Sequence, residues 1–124
     1  MISGAVFQGV FDEVSKYLLP EWEKLVVYLE YGAASYSFSF YVKTQDKFVK
    51  CYDLPGVSED ELLDSFSRID EMVSMERKAE TGNLWSNMTM VVDSDGRMKT
   101  DFDYTDLSQE AYRYMLEWKD KYLK

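Results

Sequence analysis

Residues 34–42 contain the pattern that most restricts how this chain can fold. Bulky apolar side chains occupy every second position, and mainly small polar side chains stand between them. The first set comprises Tyr36, Phe38, Phe40 and Val42, and the second comprises Ser35, Ser37, Ser39 and Tyr41. Because successive side chains of a strand point to opposite faces, the alternation predicts an antiparallel strand with one buried face and one wet face.

Two flanking segments extend this strand into a three-stranded meander. Lys24–Tyr31 is rich in Val, Leu and Tyr and is apolar on both faces, which favours a central strand. Residues 44–47 form a polar turn, and Phe48–Tyr52 is predicted to be a short third strand. Cys51 falls within that strand, where we expect a small buried hydrophobe, because the chain has no histidine to activate the thiol.

Helical spacing appears on both sides of the meander. Apolar residues recur at steps of three and four from Ile2 to Leu19, and Pro20 ends this first predicted helix. Ser58 and Glu61 form a capping box at the start of a second helix, for which Gly82 is the expected end. The buried stripe of the second helix is predicted to comprise Leu62, Phe66, Ile69 and Val73.

A hairpin and a third helix complete the chain. Trp85–Val92 and Arg97–Tyr104 alternate as strands do, and the intervening Asp93-Ser94-Asp95-Gly96 is typical of a hairpin turn. Ser108 is the expected cap of the last helix, with a hydrophobic staple between Leu107 and Tyr112. The predicted order over one domain, residues 1–124, is therefore α-β-β-β-α-β-β-α. This is an α+β fold with a mostly antiparallel sheet and helices packed on its apolar face.

The charge balance restricts the partners of the chain. It has 14 Lys and Arg against 23 Asp and Glu, a net charge of −9. Such a charge repels a phosphate backbone, so we expect no nucleic-acid partner, and it suits a partner that is itself basic. The alternative interpretation is that the acidity only keeps the protein soluble.

The compartment is predicted from what the sequence lacks. A single cysteine forms no intramolecular disulfide, which fits a reducing compartment. The first residues carry no basic segment followed by an apolar run, and no stretch approaches the roughly 18 apolar residues that span a membrane. We therefore expect a cytoplasmic protein with no membrane partner.

Catalytic chemistry is poorly represented. With no histidine, the nucleophilic triads, the imidazole proton shuttles and most zinc sites are excluded. The aspartates at 93–106 are the one cluster that resembles a metal site, but aligning Gly96 as the glycine of an EF-hand loop puts Val91 at the first ligand position and Phe102 at the last. Asp101 and Asp103 share a strand face and can approach within roughly 7 Å, although such a pair is more often a solvated edge. We predict no metal, no cofactor and no enzymatic activity.

Aromatic residues are abundant, and most are expected in the core. Tyr28, Tyr31 and Tyr41 cannot all point inward from adjacent strands that bury one face, so some should be exposed. Exposed aromatics beside carboxylates are typical of protein interfaces.

Several segments, taken in order, resemble a known family. They are residues 19–24 (LPEWEK), 85–89 (WSNMT), 93–99 (DSDGRMK), 101–107 (DFDYTDL) and 117–123 (EWKDKYL). This series is similar to the YezG-like antitoxin family of bacteria, and the resemblance spans nearly the whole chain. Members are immunity proteins that accompany secreted polymorphic toxins, often of the LXG type, whose C-terminal domains are commonly nucleases. The resemblance implies that the chain binds and blocks such a toxin domain, and it transfers no binding residue.

The sequence leaves three hypotheses open. The first is an immunity protein whose cognate toxin is a basic nuclease domain. The second is a non-inhibitory adaptor or chaperone-like module of a secretion system, and the third is a carboxylate-dependent enzyme. For the first hypothesis the candidate electrostatic contacts are Asp93, Asp95, Asp101, Asp103 and Asp106. The candidate aromatic anchors are Trp85, Tyr104 and Tyr41.

Overall fold

The computed structural model describes residues 3–32, 35–79, 84–105 and 111–124. Three helices and five strands follow one another in the predicted order, and the α+β class is confirmed. They are α1 (Gly4–Ser15), β1 (Lys24–Tyr31), β2 (Tyr36–Thr44), β3 (Lys47–Lys50), α2 (Glu59–Lys78), β4 (Asn87–Asp93), β5 (Met98–Asp103) and α3 (Ala111–Tyr122). No helix among these residues is long and apolar enough to cross a membrane.

The five strands form one antiparallel sheet in the order β3-β2-β1-β4-β5. β1 lies at the centre, where Val27 pairs with Phe40 of β2 on one side and with Met90 of β4 on the other. This confirms the central position predicted from its two apolar faces. β3 and β5 are the two edge strands.

One face of the sheet is covered by α1 and α2, which share the main apolar core with the strands. Ser58 caps α2 as predicted, since its hydroxyl accepts a hydrogen bond from the Glu61 amide at 3.4 Å. Gly9 of α1 lies directly against Met72 of α2, and a Cβ at residue 9 would stand only 2.6 Å from the Met72 sulfur. A residue without a side chain therefore allows the two helices to approach closely.

The opposite face, predicted to be wet, is covered by α3. Trp118 is buried there against Tyr28 and Tyr41, with ring centroids 4.7 and 5.6 Å away. The helices are thus not confined to one face. The sheet buries aromatic side chains on both faces, so Tyr28 and Tyr41 are buried under α3 while Tyr31 packs with the core on the α2 side. The expectation that some of these three tyrosines are exposed was wrong, because it assumed a single buried face.

Several predicted boundaries need correction. α1 ends at Ser15 rather than Leu19, and Leu18 and Leu19 pack against the core outside the helix. β3 ends at Lys50, and the buried Cys51 begins a short 3₁₀ helix, Cys51–Asp53, instead of lying in a strand. The expected features at Gly82, Leu107 and Ser108 lie outside the described residues.

Candidate functional site

The predicted contact residues lie mainly at the two ends of β5. Asp93 ends β4 and Asp95 lies in the turn that follows it, whereas Asp103 and Tyr104 lie at the far end of β5. A strand of this length separates the two groups by roughly 20 Å. A single chain therefore does not bring them together, and Asp106 lies outside the described residues.

The turn group is built around an exposed aspartate. Gly96 has a φ of 95°, the left-handed conformation that glycine adopts without a steric penalty. The Arg97 side chain donates to Asp95 at 2.8 Å, and the Arg97 amide donates to the same carboxylate at 3.1 Å. These bonds hold the pKa of Asp95 below its usual value. Asp93 is 4.0 Å from the Lys24 ammonium. Each of these two aspartates thus has a basic neighbour in its own chain.

Asp101 and Asp103 point toward α3, and each accepts a hydrogen bond from one of its tyrosines. The Tyr122 hydroxyl donates to Asp101 at 2.7 Å, and the Tyr114 hydroxyl donates to Asp103 at 3.0 Å. Thr105 adds two more bonds to Asp103, from its amide at 2.9 Å and its hydroxyl at 2.6 Å. The two carboxylates therefore hold α3 onto the sheet, an internal role that the sequence did not predict.

The protonation states fit this role. Burial acts to raise the pKa of Asp103, but the hydrogen bonds from Thr105 and Tyr114 outweigh it and leave that pKa lowered. Burial and then the bond to Asp101 raise the pKa of Tyr122 to about 12. Burial and the bond to Asp103 raise the pKa of Tyr114 as well. At neutral pH the tyrosines are therefore neutral donors, and Asp103 is an ionised acceptor.

A buried polar chain connects the same helix to the sheet. The Trp118 indole donates to the Thr89 hydroxyl at 2.8 Å, and that hydroxyl donates to the Asn87 amide oxygen at 3.0 Å. Asn87 donates in turn to the Leu29 carbonyl at 3.2 Å. This series of buried hydrogen bonds was not predicted from the sequence. Its signal was the four-residue spacing of Tyr114, Trp118 and Tyr122, which places three polar-tipped aromatics on one helical face.

Two of the three expected anchors offer no surface to a partner. Tyr41 is buried beneath α3, and Trp85 is fully buried against Tyr31 and Phe102, at 5.5 Å between ring centroids in both cases. The sequence pattern puts Trp85 and Met88 on opposite faces of one strand, but Trp85 precedes β4 and packs on the same side of the sheet as Met88, the α2 side. Tyr104 is 56% exposed and remains an accessible candidate.

A cleft lies beside β5 on its α3 side, and two exposed apolar side chains lie on the other face of the strand. The cleft, about 170 Å³, lies between β5 and α3, and its charged lining consists of Asp101, Asp103, Glu117 and Lys121. On the other face of the strand, Met98 is 46% exposed and Phe102 is 37% exposed. The sequence placed these two residues on one face without selecting them as contacts.

The described residues contain no group of three or more carboxylate or thiol side chains that could hold a metal ion. The one described cysteine, Cys51, is buried, and burial raises the pKa of its thiol. A buried neutral thiol is a poor nucleophile. What the arrangement around β5 can do chemically is bind a protein, through carboxylates, exposed apolar side chains and a strand edge.

Known proteins are similar to this sequence over most of its length. The family described as "Immunity protein YezG-like" matches residues 4–124. A protein of Bacillus spizizenii named "Immunity protein YezG" is 25% identical over 116 residues, which cover 84% of this chain and 70% of that protein. A protein of the same name from Bacillus subtilis is 23% identical over 129 residues, covering 95% of this chain and 85% of that protein.

Proposed function

Because the chain belongs to the YezG-like immunity protein family, we propose that it binds a cognate toxin domain and neutralises it in the cytoplasm of the cell that produces the toxin. The match over residues 4–124 is the observation that carries the proposal, since it covers every helix and strand. Two relatives named immunity proteins support the same role.

The proposed toxin is a secreted polymorphic toxin of the LXG type whose C-terminal domain is a nuclease. A nuclease attracts a polyanion, so its active cleft is basic. A protein of net charge −9 is attracted to such a cleft during diffusion and competes with the nucleic acid for it. The acidity of the chain thus fits this partner, and we propose that the bound chain keeps the nucleic acid out of the cleft.

The accessible predicted contacts are the ones we assign to the toxin. Asp95 and Tyr104 are exposed, and Asp93 is half-buried. Asp101 and Asp103 are half-buried and border the cleft beside α3, where they add negative charge. Charge at such positions accelerates association, whereas tight binding requires desolvated aromatic anchors, for which Tyr104 is the candidate.

The test is co-expression with the toxin encoded by the neighbouring gene. We expect cells that carry both genes to survive toxin induction, and we expect the two proteins to co-elute in size-exclusion chromatography. Cells that die although the chain is expressed and folded would contradict the proposal. A stable complex without protection would identify a non-inhibitory adaptor instead.

The contacts are tested in the same assay with Tyr104→Ala. Truncation of an aromatic anchor typically raises the dissociation constant by about tenfold or more. Tyr112→Ala is the matched control, because Tyr112 is also exposed and is not among the predicted contacts. Equal losses for both variants would remove Tyr104 from the interface.

A further inference from the structure

β5 is an edge strand whose outer side is paired with no strand that the structure describes. The opposite edge, β3, has four residues and a lysine at each end, a common protection against pairing with another chain. β5 has six residues and exposes Met98 and Phe102. It is the longer of the two edges and the one whose apolar side chains are exposed.

The hydrogen-bond pattern determines which backbone groups of β5 face outward. The Arg97 carbonyl accepts from the Asp93 amide, and the Asp103 carbonyl accepts from the Ser86 amide, both at 2.8 Å. Odd-numbered residues therefore bond toward the sheet at both ends of β5. Because inward and outward groups alternate along an antiparallel strand, the amides and carbonyls of Met98, Thr100 and Phe102 face outward.

The charged side chains of β5, together with Arg97 just before it, change sign at Thr100. On the face toward α3, the order is Arg97, Lys99, Asp101, Asp103, two cations followed by two anions. On the other face, Met98 and Phe102 flank Thr100. A second copy of the strand that runs in the opposite direction therefore places an anion opposite each cation and an apolar side chain opposite each apolar side chain.

From this pattern we infer that β5 pairs with β5 of a second copy of the chain, antiparallel and centred on Thr100. Lys99 then lies opposite Asp101 of the other copy, and Arg97 lies opposite Asp103, in both directions. Met98 lies opposite Phe102. Opposite charges and apolar pairs facing each other across neighbouring strands stabilise a sheet. Asp101 and Asp103 already accept bonds within their own chain, but the Oδ2 atom of each accepts only one from α3 and can accept a further one.

Neighbouring registers that preserve the outward hydrogen bonds place like charges together. Centring the pair on Lys99 sets the two lysines opposite each other, and centring it on Asp101 does the same for the two aspartates. Like charges directly opposite destabilise strand pairing. The net charge of −9 on each copy opposes association at long range, but salt screens that repulsion beyond about 8 Å at physiological ionic strength.

The pairing has a consequence for the predicted contact residues. In this register the turn that carries Asp95 in one copy, with Asp93 at the end of β4 just before it, lies beside Asp103 and Tyr104 of the other. Two groups that a single chain separates by the length of β5 thus become neighbours. The dimer is independent of the proposed function, since it is tested with the chain alone.

The first experiment measures association and backbone protection. Sedimentation equilibrium over a concentration series should show a monomer–dimer equilibrium, because an edge contact alone is a small interface that dissociates on dilution. In hydrogen exchange followed by NMR, the amides of Met98, Thr100 and Phe102 should be protected in the dimer and lose protection on dilution. A monomer at all concentrations, or outward amides protected only after a toxin is added, would overturn the inference.

The second experiment exchanges charges. Lys99→Asp places aspartates opposite each other and should raise the dimer dissociation constant by about tenfold. Lys50→Asp is the matched control, because Lys50 is also exposed, lies on the other edge strand and undergoes the same change of charge. The double variant Lys99→Asp with Asp101→Lys restores opposite pairs and should dimerise again.

Equal dimer constants for Lys99→Asp and Lys50→Asp would overturn the proposed register. A folded double variant that stays monomeric would also overturn it. Replacing Asp101 removes the acceptor of Tyr122, so circular dichroism must show that the double variant is folded. If it is not folded, the comparison of the two single variants decides the question.

Discussion

On one face of the sheet α1 and α2 contribute many apolar side chains to a continuous core, whereas on the other α3 contributes one buried tryptophan and several hydroxyl bonds. The first face gains stability mainly from the burial of apolar surface, which depends on the area buried and not on the orientation of the contacts. The second depends on a few directional contacts. The loss of one residue should therefore matter more on the second face than on the first.

The largest expected effect is that of Trp118→Ala. The substitution removes the indole that packs edge-on against Tyr28 and leaves the Thr89 hydroxyl without its donor, so the free energy of unfolding should fall by about 4 kcal/mol. Urea denaturation followed by circular dichroism measures it. A loss below about 1 kcal/mol would show that α3 is held mainly by other contacts.

Ile69→Ala, on the first face, should cost less, about 3 kcal/mol, because neighbouring apolar side chains can partly close the cavity. The same denaturation experiment applies. Leu63→Ala is the control, since Leu63 is exposed on the same helix and its truncation should change stability by no more than about 0.5 kcal/mol. An Ile69 loss larger than that of Trp118 would reverse the comparison between the faces.

Tyr114→Phe tests the hydroxyl bonds separately from packing. It removes the donor to Asp103 and Asn87 but keeps the ring, so stability should fall by about 1 kcal/mol. Tyr112→Phe should have almost no effect, because Tyr112 is 79% exposed. Identical melting curves for the two variants would argue that the hydroxyl bonds to the sheet contribute nothing net.

The two faces also differ in how far the sequence predicted them. The first face followed from regular patterns, namely the alternation around Phe38 and Phe40 and the helical spacing of Phe66, Ile69 and Val73. The second face did not, because Ser39 and Asn87 are small or polar residues that read as solvent-exposed. Their burial depends on α3, which follows the edge strand β5 and is distant in sequence from both residues. No local sequence pattern indicates which face of the sheet such a helix will cover.

The predicted site divides in the same way. Tyr104 and Asp95 are exposed as a surface prediction requires, but the internal bonds of Asp101 and the burial of Tyr41 depend on α3. Residue type alone does not distinguish a carboxylate that faces a partner from one that holds a helix of its own chain.

The pH dependence of stability tests the contact between α1 and α2. Burial acts to raise the pKa of Glu13, but hydrogen bonds from Arg68 and Lys16 lower it from 4.5 to about 2. A lowered pKa gives a stabilisation that is complete above about pH 4.5 and is lost as the pH falls toward 2. Glu13→Gln should therefore be less stable than the wild type at neutral pH, and the two should converge in acid. The free energy of unfolding of both proteins is measured by urea denaturation at a series of pH values. A difference between them that stays constant over this pH range would show that the ion pair of Glu13 does not contribute to stability.

The most direct test of the account is a titration of the purified toxin domain with this chain, with nuclease activity as the readout. If the bound chain blocks the domain as proposed, nuclease activity should fall in proportion to the chain added and should be abolished when the toxin is saturated. Full nuclease activity in a mixture shown by sedimentation to be entirely complexed would contradict it.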